Sequence, residues 1–337
     1  MKAWREAVPK WGVILLAGIL SLAIGAAFIL VVGGDPLSAY QQLLITPLSS
    51  KSGFGELLTN MTPLLIAGVG MAIARCAGLT NLGGEGQIYM GALGMFLVCS
   101  SGLAQTLGKP VLLLGAVAAI AFGAFWGAIS GALKAFFRAN EIITSLLLNY
   151  IAVNFIGYLI RGPLQEPSGM VPESSKIDEG LRLAKLIPST RAHTGILLAI
   201  VLVILYYFFI YRSRTGYRIR VLGGGEKAAV YGGISIKRYH MGIMTLSGGL
   251  AGLAGGIELL GVYYRITETM AGDIGFTAVV VALLGMLHPV GIVLASVLMA
   301  LLNTGAQFMQ VVSGVPITLV DILQGLIVLF VLLGLSF

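Results

Sequence analysis

The sequence predicts an all-α polytopic membrane protein. Three observations lead there. Apolar runs of about 20 residues recur along the chain, only 10% of its 337 residues are charged, and its mean hydropathy is +0.95. A soluble domain carries roughly 25% charged residues, and about 20 apolar residues make a helix long enough to cross the hydrocarbon core of a bilayer. A transmembrane barrel would instead show alternating segments of about 10 residues, and the chain has none.

The N-terminal tail carries Lys2, Arg5 and Lys10, which places it on the cytoplasmic side, where Lys and Arg accumulate. The first span, about residues 12–32, is long enough to cross and lacks a persuasive cleavage site, so it reads as a helix rather than a signal peptide. Further spans follow at about 57–74, 86–103, 111–133, 142–160, 195–211, 241–263, 276–287, 290–308 and 317–335. Between the first two, residues 33–56 hold Asp35, Lys51 and Glu56 and suit a polar outer segment. The outer loop 161–194 is nearly neutral, with five Lys/Arg, four acids and four prolines that argue against one continuous helix. The loop 212–240 carries seven Lys/Arg against one acid, Glu226, and belongs on the cytoplasmic side.

This gives one transmembrane domain over 1–337, with about ten transmembrane segments, some short or broken, and N- and C-termini cytoplasmic. On that arrangement 13 Lys/Arg fall inside and 8 outside, and five of the 8 sit in the loop 161–194. The short span at 276–287 rises only about 18 Å, less than a core of roughly 30 Å. It reads as a half-helix or re-entrant segment, a feature of transport pathways. The net charge of +7 clusters between spans, so topology explains it and nucleic acid is excluded as a partner. Cys76 and Cys99 lie in or beside apolar helices and read as small core residues.

Two glycine series recur every four residues, Gly123, Gly127 and Gly131, and Gly248, Gly252 and Gly256. Such spacing lets helix backbones approach closely in lipid. The stretch 78–91, GLTNLGGEGQIYMG, sets Asn81, Glu85 and Gln87 among five glycines. It reads either as a polar inner loop with a helix cap or as a broken helix lining or gating a pathway, since freed backbone groups are tolerated only against protein or a water-filled cavity. Asn149, Asn154, Glu258, Asn303, Gln307, Asp321 and Gln324 are further polar groups in apolar surroundings. Among them Glu258 is the deepest ionisable one, a pathway group or a helix–helix hydrogen bond.

The chemistry that is missing narrows the function. No phosphate-binding Gly-x-x-x-x-Gly-Lys-Ser/Thr is present, so ATP hydrolysis is not expected of this chain. His193, His240 and His288 show no metal-ligand spacing, and no nucleophile–base motif points to an enzyme.

The stretch 78–94, GLTNLGGEGQIYMGALG, resembles the Asn-x-Gly-x-Glu-Gly-Gln signature of ABC-transporter permeases of the branched-chain amino acid and ribose type. NEIITSLLLNYIA at 140–152, GEKAAVYGGI at 225–234 and GFTAVVVALLGMLHPVG at 275–291 fit the same family in the same order. The last block is most similar to the subgroup that imports nucleosides or simple sugars. The resemblance implies a permease subunit in a bacterial cell (inner) membrane, importing nucleosides, with simple sugars or branched-chain amino acids as the alternative cargo.

It further implies that the helix around 225–233, with Gly225, Glu226, Lys227, Ala228, Ala229 and Tyr231, couples to a cytoplasmic ABC ATPase. ATP and Mg would bind on that partner, and no cofactor or metal on this chain. A second homologous permease subunit and an extracytoplasmic substrate-binding protein complete the set, with 161–194 as the surface facing the latter. The basic residues around the helix would equally serve topology or contact with anionic membrane lipid. Asn81, Glu85, Gln87, Asn149 and Glu258 are the expected pathway or gate residues. An ion-coupled secondary transporter, with Glu258 as its coupling acid, stays open on the residues alone.

Overall fold

The computed structural model describes residues 10–336, and the side chains of residues 19–330. The tail residues Lys2 and Arg5 lie outside the described residues. Each expected span coincides with a helix. These are α1 Lys10–Val31, α2 Lys51–Cys76, α3 Gly84–Cys99, α4 Val111–Phe137, α5 Glu141–Arg161 and α6 Gly195–Tyr207. After the basic helix α7 Arg214–Gly224 and the short α8 Glu226–Tyr231 come α9 Ile236–Glu258, α10 Ile274–Leu284, α11 Pro289–Ser313 and α12 Ile317–Ser336. Helices α6 and α9 run on through single π-helical turns, Phe208–Arg212 and Leu259–Tyr263. Among the described residues there is no strand, only isolated bridges between Gln165 and Ser174 and between Lys185 and His193.

Among the described residues, six helices are long and apolar enough to cross a membrane: α2, α4, α5, α11, and α6 and α9 with their π-turns. The 16 residues of α3 and 11 of α10 rise only about 24 and 17 Å. Residues 33–56, read from sequence as a polar outer segment, are helical over most of their length, as Pro36–Tyr40, Gln41–Ile45, Thr46–Ser49 and the start of α2. Asp35 starts this run by accepting from the N–H groups of Leu37 and Ser38 at 3.2 and 3.1 Å, with Pro36 in the first position, where its missing N–H costs nothing. Ala39, Leu43 and Pro47 are buried at a four-residue spacing, an apolar stripe that average hydropathy does not register.

The chain divides into two compact units. In the first, residues 1–60 and 297–337, α1 packs on α12. The Tyr40 hydroxyl donates to the Leu22 carbonyl at 2.5 Å, Asn60 Nδ2 donates to Thr304 Oγ1 at 3.0 Å, and Gln324 Nε2 donates to Asn303 Oδ1 at 2.6 Å. Two of the amides noted in apolar surroundings, Asn303 and Gln324, therefore serve a helix–helix contact.

In the second unit, residues 61–296, α3, α4 and α9 form the centre. The two glycine series face each other. A Cβ added at Gly252 would stand 2.8 Å from Gly123 Cα, and one added at Gly127 would stand 3.0 Å from Gly248 Cα. Helices α4 and α9 thus touch backbone to backbone, with carbon atoms closer than any side chain allows. On its other side α9 meets α3 in the same way, Gly255 lying against the backbone of Ile88 and Gly91 against that of Gly252.

Candidate functional site

The site lies in the second unit, where two non-helical segments each lead into a short helix. The first segment, residues 77–83, leaves α2 through a left-handed turn. Gly78 has φ +78°, its N–H bonds the Arg75 carbonyl at 3.0 Å, and the Leu79 N–H bonds the Ala74 carbonyl at 3.1 Å. This is a Schellman ending, which closes off the last carbonyls of the helix.

From there the backbone runs into the middle of the unit, and side chains supply the hydrogen bonds that a helix would have made. The Leu82 N–H donates to Ser145 Oγ at 3.1 Å, and the Leu82 carbonyl accepts from Asn149 Nδ2 at 2.7 Å. Asn149 Oδ1 accepts from the Gly86 N–H at 2.9 Å, so one amide clamps both sides of the break. Asn81 Oδ1 accepts from the Gly83 N–H at 2.9 Å and from Gln87 Nε2 at 3.1 Å, while its Nδ2 donates to Gln87 Oε1 and Ser247 Oγ, both at 2.9 Å. Asn81, Gln87, Asn149, Ser145 and Ser247 are all buried.

The second segment, residues 264–273, comes from the opposite end of the bundle. Tyr264 starts it with φ +60°. The Ile177 N–H bonds the Tyr264 carbonyl at 2.8 Å, Ser174 and Ile266 exchange hydrogen bonds, and Tyr89 on α3 donates to the Glu268 carbonyl. It ends where α10 begins, at α3. A Cβ on Gly84 would lie 3.1 Å from Gly275 Cα, and Gly275 rests against the Glu85 backbone. The N-termini of α3 and α10 therefore meet. Ser247 and Asn149 mark the depth, lying well inside α9 and α5, roughly 16 and 12 Å from their starts.

Two helix N-termini gather partial positive charge, and a carboxylate stands at each. Glu85 is in the first turn of α3 and Asp273 at the cap position of α10, close enough to interact electrostatically. Unlike the amides, the half-buried Glu85 carboxylate has no hydrogen-bond or ion-pair partner among the described residues. Beside the first break, a cavity of about 290 Å³ is lined by Arg75, Thr80, Asn81, Ile142 and Leu283 among others, and Arg75 Nη1 donates to Thr80 Oγ1 at 3.4 Å.

The structure thus brings Asn81, Glu85, Gln87 and Asn149 together. Glu258 is buried but sits at the far end of α9, eleven residues past Ser247 and so about 16 Å along the helix. Sequence reasoning passed over Ser145, Ser247, Thr80 and Arg75. Ser145 carried a usable signal, because it stands one turn before Asn149 on the same face of α5.

At the other end of α9, Gly225 (φ +156°) breaks α7 from α8, a conformation reserved for glycine. Helix α8 buries Ala229 and exposes Lys227, Ala228, Val230 and Tyr231, the last 92% exposed. Glu226 Oε1 is 3.8 Å from His240 Nε2. Ala228 is exposed, whereas Ala229 is fully buried.

The loop 161–194 is tied to the second segment. Arg265 holds Glu166 at 3.3 Å and also pairs with Glu173, Arg161 pairs with Glu268, and Arg182 covers the Tyr264 ring at 4.4 Å. His193 is 2% exposed and accepts from the Gly195 N–H at 3.2 Å; burial pushes its pKa down to about 4.

The model of a family described as the permease component of the branched-chain amino acid transport system matches residues 53–332. The guanosine ABC transporter permease protein NupP of Bacillus subtilis is 36% identical over 94% of this chain and 91% of its own length. The glucose ABC transporter permease protein TsgB13 of Haloferax volcanii is 34% identical over 97% and 89%, and the nucleoside ABC transporter permease protein NupB of Lactococcus lactis 31% identical over 94% and 89%. No solved structure matches. The matched region contains both broken segments, the clamp of Asn149 and the basic arm, and the chain belongs to this family of membrane transport permeases.

Proposed function

We propose that this permease carries nucleosides inward in an ATP-driven importer, and that Glu85 reads the sugar hydroxyls. The cargoes named for the relatives, guanosine, nucleosides and glucose, share neighbouring hydroxyl groups. A carboxylate accepts two such donors, as acidic residues do from ribose in dinucleotide sites. The observation that carries the reading is the uncommitted Glu85 carboxylate at the meeting of two half-helices, a place where transporters bind their cargo. Asn81, Gln87 and Asn149 hold the frame of the gate, and Glu258 lies on its far side.

In this reading ten segments enter or cross a bacterial cell membrane, with both termini and the loop 212–240 cytoplasmic. Residues Gly225, Glu226, Lys227, Ala228, Ala229 and Tyr231 form the coupling helix for an ATPase that binds ATP and Mg. The loop 161–194 meets the substrate-binding protein, and a second permease subunit completes the pathway. The test is uptake by the importer reconstituted with its ATPase, second permease and binding protein. Nucleosides should be taken up with ATP, 2′,3′-dideoxynucleosides should not, and Glu85→Gln should lower uptake at least tenfold. Glucose uptake without nucleoside uptake would move the protein to the second reading, a sugar permease, favoured by the Haloferax relative. Nucleoside uptake unchanged in Glu85→Gln would remove Glu85 from the site.

A further inference from the structure

Helix α7 rests directly on one corner of the second unit and reaches another through Tyr211, and a broken segment or half-helix departs from each. The first is the end of α2. Gly223 lies against the backbone of Cys76 and Ala77, where a Cβ would collide with the Cys76 carbonyl, and a Cβ on Gly78 would stand 3.6 Å from Gly223 Cα. This is the turn that opens residues 77–83.

The second is the corner between α10 and α11. Arg220 of α7 covers the Tyr211 ring at 5.5 Å. The Tyr211 hydroxyl donates to the Leu287 carbonyl at 3.3 Å, and the Tyr206 hydroxyl donates to the same carbonyl at 2.6 Å. Met286 and Leu287 have φ +51° and +58°, values that residues other than glycine keep only where their surroundings hold them. Tyr206, 2% exposed, also joins the two corners to each other. Its single proton is committed to Leu287, so at 3.6 Å the Cys76 thiol is the donor to its oxygen.

We propose that Tyr206 and Gly223 are positioning residues that make the α7–α8 arm bear on both corners at once, so that displacing the arm moves the α3 and α10 half-helices together. As a statement about transport this rests on the ATP-driven reading above; as a statement about the linkage it does not. Coupling between distant sites is carried by chains of packed side chains and hydrogen bonds such as these.

Two measurements separate these. Hydrogen exchange on the permease alone in nanodiscs compares wild type with Tyr206→Phe, which removes only the hydroxyl, and with Tyr217→Phe at an exposed position of α7. Loss of one buried hydrogen bond corresponds to roughly two- to tenfold, and Tyr206→Phe should speed exchange by that factor in 77–83, 285–288 and 214–224 together, with Tyr217→Phe silent. Faster exchange at 285–288 alone, or no change, would overturn the linkage. In the reconstituted importer, Tyr206→Phe should lower substrate moved per ATP hydrolysed by a similar factor while assembly holds. An unchanged ratio would overturn the positioning role. Uptake by wild type that ignores ATP would instead overturn the functional reading, leaving the exchange result to decide the linkage.

Discussion

Replacing Asn149 by alanine tests whether the break before α3 is held by side chains. The substitution deletes the acceptor for the Gly86 N–H at 2.9 Å and the donor to the Leu82 carbonyl at 2.7 Å. Asn149 is 4% exposed, so water does not readily replace it. An unsatisfied buried polar group costs about 1–3 kcal/mol, and two of them give about 2–6 kcal/mol. The comparison is Asn154→Ala on the same helix, whose exposed amide donates only to its own Tyr150 carbonyl at 2.7 Å; exposed changes of that kind stay within about 0.5 kcal/mol. Reversible denaturation in mixed micelles measures both. A cycle with Ser145→Ala, which frees the Leu82 N–H, should show coupling of at least about 0.5 kcal/mol, because the two residues clamp the same peptide. Equal stability of the Asn149 and Asn154 variants would refute the clamp.

Gly252→Val places a branched side chain where Gly123 Cα leaves 2.8 Å; we expect the α4–α9 seam to open, with loss of monodisperse protein on size exclusion, whereas Gly325→Ala, which meets nothing, should purify normally. His193 stays neutral down to about pH 4 in the folded loop, against 6.5 unperturbed. The unfolded loop binds the extra proton in that window, so stability is complete above pH 6.5 and falls by about 3 kcal/mol on acidification to about 4. Proteolysis of residues 186–194 should accelerate over that range in wild type and lose most of its pH dependence in His193→Phe.

The interruption before α3 was legible because glycines and polar residues break an apolar pattern at 78–91, and the short span at 276–287 was legible from its length. What the sequence could not state is how the amides are used. Asn81, Gln87 and Asn149 look the same in sequence whether they face a solute or a peptide group, and here their partners include Gly83, Gly86 and Leu82, whose N–H and carbonyl groups every residue possesses. Only Glu85 among them keeps a head group uncommitted, and that depends on what is absent around it. The glycine spacings announced close packing but not that the two series are each other's partners, since spacing fixes a face and not its mate. The short helices within residues 33–56 were not legible, because Gln, Ser and Thr lower average hydropathy while leaving a four-residue apolar stripe intact.

The contact of α4 with α9 has a mechanical consequence. Where helices meet through long side chains, rotamer changes act as a lubricant and let one helix slide past the other. Between Gly123 and Gly252 there are no such side chains, and the opposing backbones mesh like gear teeth with no clearance. Shear along this seam would have to lift one helix off the other by the height of a peptide ridge. The pair is therefore expected to move as one stiff beam, and compliance in this unit falls to segments that are not helical, 77–83 and 264–273 among them.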